Sequence, residues 1–229
     1  MEYYTKYKNV LNNNLSIKYI TKKSIKKNSS LFLMLHGYGS NEKDLFFFLE
    51  KDIPENFFII SLQGIYSNGI NKYSWYDIDF SDEKKLIHIS QAKKTIQKIS
   101  FFIDEAIKEY KLKKNEVWLC GFSQGAILSY SIAFIKPNIV KKVIALSGYL
   151  ENYIIPKKIN KKIYYDLNFF ISHGIYDTII PIKKVKKGLK FLEKNQISYL
   201  YKEYESGHNI NILNHKDLMN WIIKKNVFS

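Results

Sequence analysis

The feature that most constrains the fold is a regular alternation of short apolar runs with longer segments of helical period. The runs are rich in apolar and β-branched residues, as strands buried on both faces of a parallel sheet are. They are residues 29–37, 55–64, 115–123, 141–148 and 168–174. The longest helical segment, residues 82–110, repeats isoleucine and alanine at three- to five-residue steps. This alternation predicts an α/β fold with a mostly parallel central sheet and helices on both faces.

The remaining elements are predicted from shorter patterns. Residues 15–24 alternate in polarity and indicate an antiparallel strand at the edge of the sheet, while residues 198–207 predict the last strand. The aromatic segment 65–80 matches neither period, so we expect a loop there. Asn41 is a candidate N-cap, and Pro181 suits the first turn of a helix. Further helices are expected at residues 41–53, 124–137, 181–195 and 211–225.

Chain length and cysteine content favour one domain in a reducing compartment. A chain of 229 residues can bury about 70% of its unfolded surface, so residues 1–229 are expected to form one domain. Within it, residues 1–14 are an extension or an edge strand. The single Cys120 leaves no internal disulfide. Neither a signal peptide nor an apolar run of roughly 20 residues is apparent, so we expect a cytoplasmic protein without stable membrane insertion.

The net charge of +15 raises the question of a nucleic-acid partner. Every basic residue is lysine, and the lysines are spread along the whole chain. Arginine supplies the bidentate contacts that sequence-reading proteins favour. The charge is therefore interpreted as a compositional bias, and no nucleic-acid partner is expected.

A hydroxyl between two glycines marks the end of the third predicted buried strand. The segment Gly121–Gly125 reads G-F-S-Q-G, with an apolar strand before it and a helix of small and apolar residues after it. This G-x-S-x-G pattern in a strand–turn–helix context is the nucleophile elbow, in which a sharp turn exposes the serine. The helix that follows favours developing negative charge at its N-terminus. Ser123 is therefore the candidate nucleophile, and a plain turn serine is the alternative.

A serine nucleophile needs a histidine base and an acid that orients it. His208 directly follows the final predicted strand, and Asp177 follows an earlier strand and precedes a helix. The order Ser123, Asp177, His208 is that of α/β-hydrolases and differs from the two common serine-protease orders. Asp166 is the alternative acid. His88 and His215 are expected on the surfaces of helices.

A glycine-containing loop after the first buried strand is the candidate oxyanion hole. Its sequence, His36-Gly37-Tyr38-Gly39, lies at the edge of the sheet where Ser123 is expected. Glycines let backbone amides approach a ligand closely. We expect the N–H groups of Tyr38 and Gln124 to hold the oxyanion. His36 and His173 each end a strand and are interpreted as structural residues that bond to neighbouring backbone.

Several motifs together resemble the phospholipase/carboxylesterase family, which includes acyl-protein thioesterases and small bacterial carboxylesterases. The motifs occur in family order and cover the chain from about Leu31 to its C-terminus. They read LHGYGSNEKDL, YSWYD, GFSQGAILSY, LSGYL, SHGIYDTIIP and GHNI. The resemblance implies an α/β-hydrolase fold and a Ser/Asp/His triad without cofactor or metal. It also implies activity on esters or thioesters.

The same resemblance suggests where the substrate lies. In the family the loop that contains Trp75 approaches the active site, so Trp75 is expected to wall the substrate cleft, although core packing is the common role of tryptophan. Leu150 is expected on the opposite wall, with a surface loop as the alternative. Some relatives are dimers, which makes a homodimer a further expectation. Residues 1–14 match no family motif, and the loop before Trp75 has less Pro and Gly than is common.

The sequence therefore predicts a serine carboxylesterase that acts on a small ester or a lipid-like substrate through an acyl-enzyme. A lysophospholipase or acyl-protein thioesterase would use the same residues on another substrate. A peptidase of the same fold is a further alternative. A non-catalytic binding protein on a hydrolase scaffold is the alternative from another class.

Overall fold

Seven strands form the central sheet of the computed structural model, which describes residues 10–79, 81, 86–156 and 160–227. The strands are β1 (Tyr19–Lys22), β2 (Ser30–Leu35), β3 (Phe57–Leu62), β4 (Val117–Phe122), β5 (Val140–Leu146), β6 (Asn168–Gly174) and β7 (Ser198–Tyr204). Their order in the sheet is β1-β3-β2-β4-β5-β6-β7. β1 is antiparallel to β3, and the other neighbours are parallel. The predicted mostly parallel sheet with an antiparallel edge strand is confirmed.

Five α-helices in the described ranges cover both faces of this sheet, as predicted. They are α1 (Lys43–Leu49), α2 (Ile89–Glu109), α3 (Gln124–Ile135), α4 (Ile182–Lys194) and α5 (Ile212–Asn226). Alternate residues of β2 point to opposite faces: Leu31 and Leu33 join a core with α2, α3 and α4, whereas Phe32 joins a core with α1 and α5. β2 is buried along its whole length, which explains why its sequence is continuously apolar.

The aromatic segment 65–80 is more regular than the loop that the sequence predicts. Tyr66–Gly69 pairs with Lys72–Ser74 in an antiparallel hairpin, and Ile78–Asp79 pairs with Leu86–Ile87 in a second short ribbon. Asn71, at the hairpin turn, has a φ of 55°. The expectation of a loop is wrong here because strands of two to four residues are too short to show a two-residue period.

The start of the longest helix also differs from the prediction. Helix α2 begins at Ile89, and the side chain of His88 caps it by accepting a hydrogen bond from the Gln91 amide. His88 is therefore exposed at a helix start and does not lie within a helix. Part of the predicted helix, residues 82–85, lies outside the described residues, as do residues 1–9 of the N-terminal extension. Asn12 of that extension forms an antiparallel bridge with Tyr19.

The helices were compared with the length and apolar character of a membrane-spanning segment. Within the described ranges, no helix combines the length and the apolar character that a bilayer crossing requires. The longest, α2, has 21 residues and carries several lysines on its exposed face.

The two elbow glycines allow β4 and α3 to approach each other and β2 without a steric clash. A Cβ atom at Gly121 would overlap the backbone carbonyl of Gly125. A Cβ atom at Gly125 would overlap the carbonyl of Leu35 at the end of β2. Since these are backbone atoms in a closely packed core, moving them aside would cost free energy of folding. The spacing of the motif therefore results from close backbone packing on both sides of Ser123.

Replacing Gly125 with alanine is expected to destabilise the protein by about 3 kcal/mol, because the added methyl group overpacks backbone against backbone. Urea unfolding followed by circular dichroism would measure the change.

The matched control is Gly207→Ala, where a Cβ atom would meet only the Tyr176 carbonyl at 4.0 Å. This variant should lose less than about 1 kcal/mol. Equal stabilities of the two variants would contradict the packing argument.

Candidate active site

Ser123 lies in the sharp turn between β4 and α3, where the elbow pattern predicts it. Its φ of 52° and ψ of −113° are uncommon for a residue with a side chain. The turn is held by a 2.9 Å hydrogen bond from the Ser123 amide to the Leu146 carbonyl on β5. In this conformation Oγ is held 2.9 Å from Nε2 of His208.

His208 and Asp177 come from the loops that follow β7 and β6, at the same edge of the sheet as Ser123. Nδ1 of His208 donates to Oδ2 of Asp177 across 2.7 Å. This bond leaves Nε2 unprotonated in the neutral ring, so Nε2 accepts from the hydroxyl of Ser123. Phe122 packs against the imidazole, with ring centroids 5.1 Å apart. The structure thus brings together the three residues that the sequence predicts.

The Asp177 carboxylate is buried and fully hydrogen-bonded. Oδ1 accepts the amides of Ile179 and Ile180, each at 2.8 Å. Oδ2 accepts from His208 and lies 3.3 Å from Nε2 of His173. Burial by itself raises the pKa of Asp177, but the hydrogen bonds from His208 and the Ile180 amide outweigh it and lower the pKa. A carboxylate in this setting is ionised at neutral pH.

Asp166, the alternative acid, lies elsewhere. Its carboxylate pairs with Lys141 at 3.2 Å, in an exposed position before β6. Since the carboxyl ends of parallel strands meet at one edge of a sheet, only an acid that follows a strand can reach His208. The geometry therefore favours Asp177 over Asp166.

The two segments that carry the predicted oxyanion donors, the amides of Tyr38 and Gln124, lie beside Ser123. Gly37 and Tyr38 line the cavity next to the serine, and a Cβ atom at Gly37 would lie 3.5 Å from the Ser123 Cβ. Gln124 is the first residue of α3, where amide groups have no helical acceptor. Both segments therefore reach the space next to Oγ.

A cavity of about 460 Å³ opens at Ser123 and His208, within the size range of small-molecule sites. Its lining is mainly apolar, with Ser40, Asp44 and Lys184 as polar groups at the wall. Two larger clefts, of about 870 and 720 Å³, lie elsewhere and include none of the three residues. The apolar lining includes Ile78, Ile87, Phe122, Ile127, Tyr149, Ile179 and Ile180.

The two residues predicted to wall the cleft lie outside this lining. Trp75 is fully buried behind the site, and its indole Nε1 donates to the carbonyl of His36 at 2.9 Å. Leu150 is buried in the core against Gly188 of α4. The neighbouring Tyr149 faces the cavity instead. The expected wall positions of Trp75 and Leu150 are corrected accordingly, because both side chains point into packed interior.

Sequence reasoning missed the contribution of the second short ribbon. Ile78 and Ile87 are partners across its two strands and form part of the cavity wall. No local sequence pattern joins the two residues, which belong to different strands of the ribbon. Only the family resemblance, which places the preceding loop near the active site, pointed to this region.

The two buried histidines at strand ends have structural contacts. His36 accepts the Gly64 amide at Nε2 (2.9 Å) and donates from Nδ1 to the Gly37 carbonyl (2.7 Å). Nε2 of His173 donates to the Ile180 carbonyl at 2.8 Å. Both side chains therefore bond to neighbouring backbone, as expected. The contact of His173 with Asp177 was not expected.

The parallel sheet, the elbow and the Ser–His–Asp arrangement define an α/β-hydrolase. Residues 17–226 match the family model described as Phospholipase/Carboxylesterase. The chain therefore belongs to this family, and the expectation of an ester-bond hydrolase is confirmed at that level.

Individual relatives are distant but cover most of the chain. Acyl-protein thioesterase 1 of Kluyveromyces lactis is 28% identical, over 69% of this chain and 71% of the relative. Carboxylesterase SOBER1 of Arabidopsis thaliana is 26% identical, over 69% of this chain and 71% of the relative. The solved Bacillus cereus carboxylesterase superposes with a TM-score of 0.79 and 20% identity, covering 92% of this chain and 95% of that chain. The structural similarity supports the predicted fold.

Acidification is expected to destabilise the protein below about pH 6.5. Burial lowers the pKa of His36 and of His173, so the unfolded chain binds protons that the folded protein excludes. Stability therefore rises with pH in this range, and each residue contributes a slope of up to about 1.4 kcal/mol per pH unit. Urea unfolding at pH 7, 6 and 5 would measure the slope.

The variant His36→Asn separates the two contributions. Asparagine can still donate to the Gly37 carbonyl but does not titrate, so the variant should lose less stability than wild type between pH 7 and pH 5. Parallel stability curves for the two proteins would contradict this explanation.

Proposed function

We propose that this protein is a serine carboxylesterase that hydrolyses carboxylic esters through an acyl-enzyme. The observation that carries the proposal is the continuous hydrogen-bond chain from Ser123 through His208 to Asp177, at 2.9 and 2.7 Å. This chain opens on an apolar cavity large enough for an acyl group. A purely structural protein would not need a hydrogen-bonded serine, histidine and aspartate at the mouth of a cavity.

In the first half of the reaction, Ser123 attacks the ester carbonyl. Nε2 of His208 takes the proton from Oγ as the carbon–oxygen bond forms. Asp177 holds the ring with Nδ1 protonated and stabilises the imidazolium that results. His208 then gives its proton to the oxygen of the leaving alcohol, which departs and leaves the acyl group on Ser123.

The tetrahedral oxyanion would bind to the amides of Tyr38 and Gln124. These donors come from separate segments, the loop after β2 and the first turn of α3, and both lie beside Oγ. The N-terminal end of α3 adds a favourable dipole for the negative charge. Losing one such donor typically reduces turnover by roughly 10²–10³.

The second half repeats the same steps with water. His208 takes a proton from a water molecule, which attacks the acyl carbonyl. The oxyanion again forms at the two amides, and His208 returns the proton to Oγ as the acid leaves. Every step uses acid–base and hydrogen-bonding groups of this chain.

The mainly apolar lining of the cavity favours a substrate with an uncharged, apolar acyl group. Its five isoleucine side chains and Phe122 form no hydrogen bonds, so acyl length and shape would determine specificity. A thioester or lysophospholipid would fit the same machinery, and two relatives carry the names acyl-protein thioesterase and carboxylesterase. Relative rates on p-nitrophenyl octanoate, palmitoyl thioester and lysophospholipid would separate these substrates.

Wild-type protein is expected to hydrolyse p-nitrophenyl acetate, butyrate and octanoate, and Ser123→Ala should reduce kcat/KM by more than about 10³. Loss of the attacking oxygen removes the acyl-enzyme, so a fluorophosphonate probe should label wild type and not the variant. Ser129→Ala is the matched control, because Ser129 is a nearby serine, buried in α3, whose hydroxyl donates to the Gly125 carbonyl and does not contact His208.

The same assay tests the acid. Asp177→Asn should lose about 10³–10⁴ in kcat through the wrong imidazole tautomer, whereas Asp166→Asn should retain full activity. A wild-type protein inert to all three esters and to the probe would favour the binding-protein alternative.

A larger side chain in the cavity wall should narrow the cavity and so shift the preference towards shorter acyl chains. Ile179 lines the cavity and is 47% exposed, so Ile179→Trp can narrow the opening without overpacking the core. We expect kcat/KM for octanoate to fall about tenfold relative to acetate, the cost of about one or two displaced methylenes.

The control is Ile175→Trp, at a similarly exposed position of the same loop that does not line the cavity. Its octanoate-to-acetate ratio should match wild type. An unchanged ratio in Ile179→Trp would mean that the acyl group binds elsewhere.

A further inference from the structure

We propose that Trp75 is a positioning residue that aligns both oxyanion donors, an inference that rests on the proposed function. Trp75 follows the strand Lys72–Ser74 and is fully buried behind the site. It makes one hydrogen bond to each segment that carries a donor. Its indole Nε1 donates to the His36 carbonyl at 2.9 Å, and its amide donates to the Gln124 side chain at 2.8 Å.

On the α3 side, the side-chain amide of Gln124 is fixed at both ends. Oε1 accepts the Trp75 amide, and Nε2 donates to the Tyr76 carbonyl at 2.7 Å. The side chain is buried, so breaking either bond would leave an unsatisfied polar group. Because this side chain is held by two consecutive residues, the Cα atom of Gln124 and its backbone N–H are held as well.

On the β2 side, the indole supports the loop through His36. The rings of Trp75 and His36 lie 5.0 Å apart, and Nδ1 of His36 donates to the Gly37 carbonyl. The peptide that joins Gly37 to Tyr38 is planar, so its N–H points away from its carbonyl. Fixing the Gly37 carbonyl therefore fixes the direction of the Tyr38 N–H, which is the second proposed donor.

Trp75 is itself held in place from α2. The hydroxyl of Thr95 donates to the Trp75 carbonyl at 2.6 Å, and Thr95 is fully buried. A buried indole N–H needs an acceptor in any packed core; at Trp75 that acceptor, the His36 carbonyl, belongs to the segment that carries a proposed donor. Because a misplacement of about 1 Å can cost about 10²-fold in rate, a residue that holds two donors affects catalysis without touching the substrate.

The variant Trp75→Phe tests this inference, because it keeps an aromatic ring and removes the indole N–H. We expect kcat for p-nitrophenyl butyrate to fall about tenfold or more, with KM within about twofold of wild type. Rates are normalised to active sites titrated with a fluorophosphonate, which removes the effect of misfolded protein. The matched control is Trp118→Phe: Trp118 is equally buried, and its indole donates to Glu116 away from the site.

A second readout separates positioning from general packing damage. An alkyl trifluoromethyl ketone forms a hemiketal oxyanion with the serine, whereas the corresponding secondary alcohol only occupies the cavity. Trp75→Phe should weaken binding of the ketone by the same factor as kcat and leave alcohol binding unchanged. Should Trp75→Phe fail to fold, Gln124→Met tests the other link: it removes the bond between the Trp75 amide and the Gln124 side chain, keeps the backbone N–H of residue 124, and should show the same pattern.

The outcomes distinguish this inference from the proposed function. If Trp75→Phe matches Trp118→Phe, or if both inhibitors weaken equally, the positioning role is wrong while the esterase proposal stands. If wild type lacks esterase activity, or if Ser123→Ala retains it, the proposed function fails and the positioning role fails with it.

Discussion

The close contact between the first turn of α3 and the carboxyl end of β2 is the constraint on which the site depends. With any side chain at Gly125, the helix would be pushed away from the Leu35 carbonyl. The loop after β2 would then move away from Ser123, and the two amides proposed to bind the oxyanion would separate. A packing requirement in the backbone thus determines the distance between Ser123, the proposed nucleophile, and the amides proposed to stabilise the oxyanion.

The parallel sheet supplies the rest of the arrangement. Loops after β2, β4, β6 and β7 all emerge at the carboxyl edge, so four segments distant in sequence reach one small region. The order of the strands places Ser123 centrally, because Ser123 follows β4, the middle strand of the sheet. Asp177 and His208 follow neighbouring strands, β6 and β7, which explains how their side chains meet without any contact in sequence.

Much of this could be predicted from sequence because the relevant signals are local. The buried strands have continuous apolar runs, and the glycines around Ser123 reflect backbone contacts that leave no room for a Cβ atom. The side chain of Trp75 was misplaced because the strands around it are too short to show a period, and a tryptophan near a site can point into the cavity or into the core. The pairing of Ile78 with Ile87 depends on a non-local ribbon. The capping role of His88 depends on a helix start that the isoleucine repeat alone does not locate.

The surroundings of Asp177 explain why a buried carboxylate suits this position. In the part of the chain that the structure describes, no lysine forms an ion pair with it; its partners are two backbone amides and ring nitrogens of His173 and His208. These dipoles keep the group ionised without cancelling its charge. A lysine in the same place would neutralise the carboxylate and weaken its attraction for a protonated His208. Holding the acid with neutral donors therefore leaves its full charge for the imidazolium that would form in the proposed reaction.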